Sequence, residues 1–162
     1  MKRLELLNKN HDCNSFDCGN YALNRYLQTT ARQHTEKGLS RTFVFVESEV
    51  PFKIIGFFTL SLCEIDIAKL PPKLAKKYPS KVPGVKLARL PVAIDFQRQG
   101  IGRILMFEAM KKALIISENA GIVGLFVDAK DESAKGYYEQ YGFVSLKDVL
   151  EMFLSLESIK QL

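Results

Sequence analysis

The chain is expected to fold as a mixed α/β (α+β) domain with a mostly antiparallel central sheet, helices on both faces and one parallel strand pair. Three observations predict this. Two runs rich in β-branched and aromatic residues, Thr42 to Val46 and Ile54 to Leu62, are joined by a short polar link containing Pro51, the pattern of an antiparallel hairpin. Two apolar runs, Leu87 to Ile94 and Gly121 to Val127, are separated by a helical pattern of crossover length, which calls for parallel strands with a right-handed connection. The first of these enters its helix through glycines, in the order Gln97-Arg98-Gln99-Gly100-Ile101-Gly102.

Taken in order, Asn20 to Gln33 carries Tyr21, Ala22, Leu23, Tyr26 and Leu27 near helical spacing, with Asp17 placed as a cap, so a first helix is expected there. The hairpin follows. From Asp66 to Val85, Pro71, Pro72, Pro79, Pro83 and Gly84 interrupt regular structure, leaving one helical turn around Leu74 in a long basic connection. Connections of that length inside a domain are usually functional, which places it near the substrate. The helix after the glycines, Ile101 to about Ser117, sets Leu105, Met106, Ala109, Met110, Ala113 and Leu114 on one side, with Glu108, Lys111 and Lys112 opposite. Asp131 caps a short helix over 132–141 that Gly142 ends, and two final strands are expected, from Phe143 onward and over Met152 to Leu156.

With 162 residues, 47% hydrophobic and 25% charged, the composition suits one domain spanning residues 1–162 with a full core. No apolar run nears the ~18 residues of a membrane span, and the start MKRLELLNKN lacks the apolar region of a secretory signal. No membrane association and a cytoplasmic location are therefore expected. Cys13, Cys18 and Cys63 are odd in number and scattered, which argues against a disulfide framework. His11, Cys13, Cys18 and His34 match no zinc spacing, so no metal is expected.

The net charge of +5 is unevenly spread. Between Asp66 and Arg103, the basic residues Lys69, Lys73, Lys76, Lys77, Lys81, Lys86, Arg89, Arg98 and Arg103 meet only two acids, Asp66 and Asp95. A solvated face and a surface for a polyanion, either RNA or cofactor phosphates, fit this equally well.

The glycine run carries the chemistry. A strand that feeds a helix through glycines lets backbone N–H groups approach an anion at the positive end of the helix dipole. The dinucleotide fingerprint would need a third glycine where Leu105 stands, and no Gly-Lys-Ser/Thr follows for a P-loop. A shorter pyrophosphate loop remains, although two glycines also suit an ordinary strand-to-helix turn. Ala134, Tyr137, Tyr138 and Tyr141 form an i, i+3, i+4, i+7 stripe, which on periodicity alone reads as packing.

The succession of helix, hairpin, apolar strand, Q-x-x-G-x-G, long helix and strand, then Ala134-x-x-Tyr137-Tyr138-x-x-x-Gly142-Phe143, resembles the GNAT superfamily of acyl-CoA N-acetyltransferases. Phe16-Asp17-Cys18-Gly19 with Leu23, Gly38-Leu39-Ser40-Arg41-Thr42, and Leu87-Ala88-Arg89-Leu90 resemble its toxin branch. Members of that branch acetylate the amino group of aminoacyl-tRNA and are neutralised by a ribbon-helix-helix antitoxin.

The resemblance implies acetyl-CoA as co-substrate, with the pantetheine arm in the gap between two splayed parallel strands. It assigns cofactor binding to Val92, Ala93, Ile94, Arg98, Gln99, Gly100, Ile101, Gly102 and Arg103, with Val92 and Ile94 offering main-chain contacts. A strand N–H near Val92 would meet the oxyanion, and Tyr138 would protonate the departing thiolate, while Tyr137 and Tyr141 stay structural. Lys73, Lys76, Lys77, Lys81, Lys86, Arg89 and Arg41 become candidates for tRNA phosphates. Glu64 and Asp66 are general-base candidates by position alone, and an α-amine, with a pKa near ~7.7 to 8.0, would need none. Acetylation of a small amine or a protein N-terminus, and a non-catalytic CoA- or RNA-binding module, stand as alternatives. Whether two copies form a homodimer is left open.

Overall fold

The computed structural model, which describes residues 1–148 and 150–162, runs in the order β1 (Lys2–Leu6), α1 (Tyr21–Thr29), α2 (Ala31–Glu36), β2 (Arg41–Glu47), β3 (Ile54–Asp66), α3 (Pro72–Ala75), β4 (Lys81–Arg89), α4 (Ile101–Asn119), β5 (Gly124–Asp128), α5 (Glu132–Glu139), β6 (Val144–Ser145), β7 (Glu151–Ser155) and α6 (Leu156–Lys160). The strands are hydrogen-bonded in the order β1-β2-β3-β4-β5-β7-β6. β4 and β5 pair in parallel, whereas β1–β2, β2–β3, β5–β7 and β6–β7 are antiparallel, which is the mixed sheet expected from the sequence. Among the described residues no helix is long and apolar enough to cross a membrane. Two compact units are distinguished, Met1–Ser61 with Ala88–Ala109, and Leu62–Leu87 with Met110–Leu162.

In the first unit the expected hairpin is present, in register from Arg41↔Leu60 to Val46↔Ile54 with a shift between Phe45 and Val46. Thr42 and Thr59 share a buried hydroxyl hydrogen bond of 2.9 Å across it. β1, not expected from the sequence, adds to β2 from Lys2↔Glu47 to Leu6↔Phe43. Its charged sequence suits an edge position at the start of the strand order, where charge discourages pairing with another chain.

The first helix corrects two expectations. Asn20, not Asp17, is its cap, accepting from the Leu23 N–H at 3.1 Å. It also stops at Thr29, whose hydroxyl bonds back to the Arg25 carbonyl at 2.7 Å. Thr30 then leaves helical geometry (φ −125°), so the stretch expected as one helix is α1 and α2. Tyr26, Leu27 and Ala31 pack with Leu7, Phe16, Val44, Val46, Ile54 and Phe57 in this unit's core.

In the second unit, Leu70, Val82, Phe126, Leu146 and Phe153 form a core, with the Phe126 and Phe153 rings 4.8 Å apart. The basic connection is more ordered than its prolines suggest. A 3-10 turn at Ile67–Lys69 precedes α3, and Leu74, Ala75 and Tyr78 pack on the core while their lysine neighbours stay outside.

The strand expected over Leu87 to Ile94 is instead Lys81–Arg89. Val82, Val85 and Leu87 are buried, and the Pro83 carbonyl still accepts from the Val123 N–H at 2.9 Å, so the proline loses only its donor role. The parallel ladder covers Val85↔Leu125 and Lys86↔Phe126 alone. β5 starts later than expected and continues through Val127 and Asp128, paired there with β7.

Candidate active site

Beyond β4 the chain stays attached to β3 by a single bridge between Gly56 and Val92. The Phe57 N–H donates to the Pro91 carbonyl at 3.1 Å, and the Ala93 N–H donates to the Ile55 carbonyl at 2.7 Å. In antiparallel pairing, the residue between two such bonds turns its own N–H and C=O to the opposite side. Val92 is that residue. Its carbonyl accepts from Gln97 Nε2 at 2.9 Å, and its N–H has no acceptor among the described residues.

The other two residues expected here behave differently. Ala93 spends its N–H on Ile55, and Ile94 opens a 3-10 turn, Ile94–Phe96, with its N–H given to the Asp17 carbonyl at 2.9 Å. The main-chain contacts expected of Ile94 are thus taken up within the protein, its N–H by Asp17 and its carbonyl by the Gln97 N–H at 3.2 Å. Gly56 permits this close approach, since a Cβ there would lie 2.9 Å from Leu105 Cδ1 and 3.0 Å from the Pro91 oxygen. The sequence reading did not single out Gly56; an isolated glycine amid Ile54-Ile55-Gly56-Phe57-Phe58 is the signal that could have found it.

The glycine loop follows in the same unit. Arg98 (φ +63°) and Gly100 (φ +80°) are both left-handed, which turns the chain sharply into α4. The first helical bond runs from the Ile104 N–H to the Gly100 carbonyl at 3.2 Å, so the amides of Ile101, Gly102 and Arg103 are free donors at the positive helix end. Arg98 and Arg103 are exposed beside them, while the Gln99 side chain bonds back to the Asp95 carbonyl at 3.3 Å. Free amides, a helix dipole and two guanidinium groups together fit a pyrophosphate.

In the second unit, Tyr138 lies on α5, which Asp131 caps by accepting the Ala134 N–H at 2.8 Å. Tyr138 is half-buried, edge-on to Tyr137 and Phe143, and its hydroxyl makes no hydrogen bond among the described residues. Burial first, and the Asp128 carboxylate second, push its pKa above the ordinary tyrosine value. It therefore holds its proton at neutral pH. Tyr141 is buried and donates to the Tyr137 hydroxyl at 3.2 Å, a contact between neighbours on the stripe.

The basic residues separate into three groups. Lys73, Lys76 and Lys77 are exposed on and after α3 with no carboxylate partner among the described residues. Lys81 and Lys86 already carry partners, Glu64 at 3.6 Å and Asp128 at 2.5 Å. In the first unit, Arg41 bonds to the carbonyls of Thr35 and Ser40, and the Arg89 guanidinium lies over the Tyr26 ring. Of the two base candidates, Glu64 pairs with Lys81 at 3.6 Å and Asp66 caps the 3-10 turn by accepting the Ala68 N–H at 2.9 Å. No group of three or more His, Cys, Asp or Glu side chains suited to a metal occurs among the described residues.

A model of the acetyltransferase (GNAT) domain matches residues 78–152. A tRNA-acetylating toxin of Mycobacterium tuberculosis is 27% identical over 152 residues, which cover 93% of this chain and 90% of that protein. The solved structure of AtaT complexed with acetyl-methionyl-tRNA is 30% identical with a TM-score of 0.92, over 99% of this chain and 98% of that one. A mutant AtaT toxin bound to the C-terminus of the antitoxin AtaR and acetyl-CoA gives 27% identity and a TM-score of 0.84, over 99% and 96%. With an open strand edge at Val92, a free helix start behind Gly100 and these likenesses over nearly its whole length, the chain belongs to the GNAT family of acetyltransferases.

Proposed function

We propose that the chain, acting as one catalytic domain over residues 1–162, transfers the acetyl group of acetyl-CoA to the α-amino group of an aminoacyl-tRNA, as the toxin of a toxin–antitoxin pair. The observation that carries the reading is the unclaimed Val92 N–H on an edge turned away from β3, in the same unit as the free amides of Ile101, Gly102 and Arg103. The likeness to AtaT, solved with acetyl-methionyl-tRNA, supports the acceptor.

Acetyl-CoA supplies a thioester whose carbonyl carbon accepts the amine and whose sulfur leaves. The Val92 N–H donates to the carbonyl oxygen as it gains charge, a type of contact typically worth 10²- to 10³-fold in rate (~2.7 to 4 kcal/mol). The amine loses its proton to water as the C–N bond forms. Tyr138 gives its hydroxyl proton to sulfur as the C–S bond breaks and regains one from solvent. No protein base is required, because an α-amine titrates near ~7.7 to 8.0 and an adjacent ester lowers that further.

Arg98 and Arg103 hold the pyrophosphate against the helix start. The free lysines Lys73, Lys76 and Lys77, with Arg89 and Arg41, meet tRNA phosphates. An antitoxin of ribbon-helix-helix type is the protein partner, in line with AtaR on AtaT, and the cytoplasm, where charged tRNA is made, is the site of action. Incubation with acetyl-CoA and a pool of charged tRNA tests the reading. Acetylated aminoacyl-tRNA is expected, with a yield that falls as salt rises. Thiol release with small amines but no tRNA product would establish the small-amine alternative instead.

A further inference from the structure

Gln97 opens the Q-x-x-G-x-G run, yet none of the free amides behind Gly100 belongs to it. Its Nε2 donates to two carbonyls at once, Val92 at 2.9 Å and Cys18 at 3.1 Å. Facing two acceptors, only the NH₂ end of the carboxamide fits, so its orientation is set by its partners.

The Cys18 carbonyl is itself held in place. The Cys18 N–H donates to Asn24 Oδ1 at 2.9 Å, and Asn24 Nδ2 donates to Asp17 Oδ1 at 3.0 Å. The Gly19 N–H reaches the same Asp17 oxygen at 2.9 Å, and the Asp17 carbonyl takes the Ile94 N–H. The Gly19 N–H first, and the Asn24 carboxamide second, hold the Asp17 carboxyl below the usual aspartate range, so it remains an acceptor at neutral pH. Asn24, on α1, therefore braces Asp17 and Cys18, and these hold the segment from Val92 to Gln97 at Ile94 and at Gln97.

We infer that Gln97 and Asn24 are positioning residues for the Val92 amide, an inference that rests on the reading of Val92 as the oxyanion donor. Val92 keeps only one bridge to β3, and the chain turns away within two residues. The bond from Gln97 to the Val92 carbonyl fixes the rotation that this single bridge leaves open. An oxyanion donor works through preorganised direction, so loosening it lowers rate without loosening the cofactor. Gln97 is exposed, where a hydrogen bond adds little to stability, so positioning and folding roles can be told apart.

The test uses the whole chain with Gln97→Ala, Asn24→Ala and the double variant, measuring kcat, KM for acetyl-CoA and melting temperature. Each single variant is expected to lose ~10- to 100-fold in kcat, with KM for acetyl-CoA changed less than ~3-fold and melting unaltered at Gln97→Ala. The double variant should lose no more than the worse single, because both act on the one Val92 amide. Gln97→Glu, which has no donor, should not restore kcat. A kcat within ~2-fold of wild type, a loss carried by KM for acetyl-CoA, or a double equal to the product of the singles would overturn the inference. Wild-type protein active on a small amine but on no charged tRNA would sink the acceptor reading alone, and the same variants remain decisive on that amine. No turnover with any amine would overturn both.

Discussion

The Arg89 guanidinium carbon lies 3.5 Å from the centroid of the Tyr26 ring, and no carboxylate pairs with it among the described residues. Tyr26 is buried, and its hydroxyl has no hydrogen-bond partner among the described residues. A stacked guanidinium keeps its in-plane N–H donors for an outside acceptor, and here the ring sets the direction of that plane. Arg89 also stands three residues before Val92, about 10 Å along an extended chain.

A phosphate near the aminoacyl end of tRNA is the acceptor expected for Arg89. Arg89→Ala should raise KM for charged tRNA ~10-fold or more, leave KM for acetyl-CoA unchanged and reduce the salt slope by about 1. Arg89→Lys should restore little, since an ammonium cannot reproduce the planar stack. Initial rates at two salt concentrations check this, and full recovery by lysine would show that charge alone matters.

Tyr138→Phe should lower kcat by ~10²- to 10⁴-fold while acetyl-CoA binding, followed by calorimetry, stays near wild type. The packing of Tyr138 on Tyr137 and Phe143 survives the change because only the hydroxyl is removed. An unaltered rate would return Tyr138 to the purely structural role its periodicity first suggested.

The raised pKa of Tyr138 has a definite sign in the pH profile. The proton donor is competent below its pKa, which is shifted upward, so the group supports activity through neutral and mildly alkaline pH. The rate should rise as the α-amine loses its proton, below ~8, and show no falling limb before about pH 10. A descending limb between pH 8 and 9 in kcat would assign proton donation to another group.

Gly56→Ala places a methyl group against Leu105 and the Pro91 carbonyl. Overpacking of this kind costs ~1 to 3 kcal/mol, readable as a lower urea midpoint at unchanged m-value. Because the same contact seats Val92, kcat should fall further than the lost folded fraction accounts for. A variant of reduced stability but full kcat would separate Gly56 from the site.

The parallel pair, the hairpin, the glycine loop and the Asp131-capped helix were legible because each is written in local terms: residue periodicity, a cap, glycines at a strand-to-helix turn. β1 was not, since Lys2-Arg3-Leu4-Glu5-Leu6 carries the charges of an edge and owes its strand to pairing with β2. The limits of β4 were hidden for a related reason, as Pro83 and Gly84 read as breakers until the Val123 N–H is seen closing on the Pro83 carbonyl.

By itself the sequence determined the fold class, the glycine-led helix start and the candidacy of Tyr138, because these follow from local spacing and from motifs that resemble a family. Tertiary structure alone decided which of Val92, Ala93 and Ile94 keeps a free amide. Ile55 takes one N–H and Asp17 takes another, and those partners are tens of residues away along the chain. It also decided which cations face a carboxylate, since Lys81 and Lys86 pair with Glu64 and Asp128 while Arg89 is stacked on Tyr26 with no carboxylate partner among the described residues. Hydrogen bonds and ion pairs are competitions among all groups within reach, and reach is settled only when distant segments are brought together.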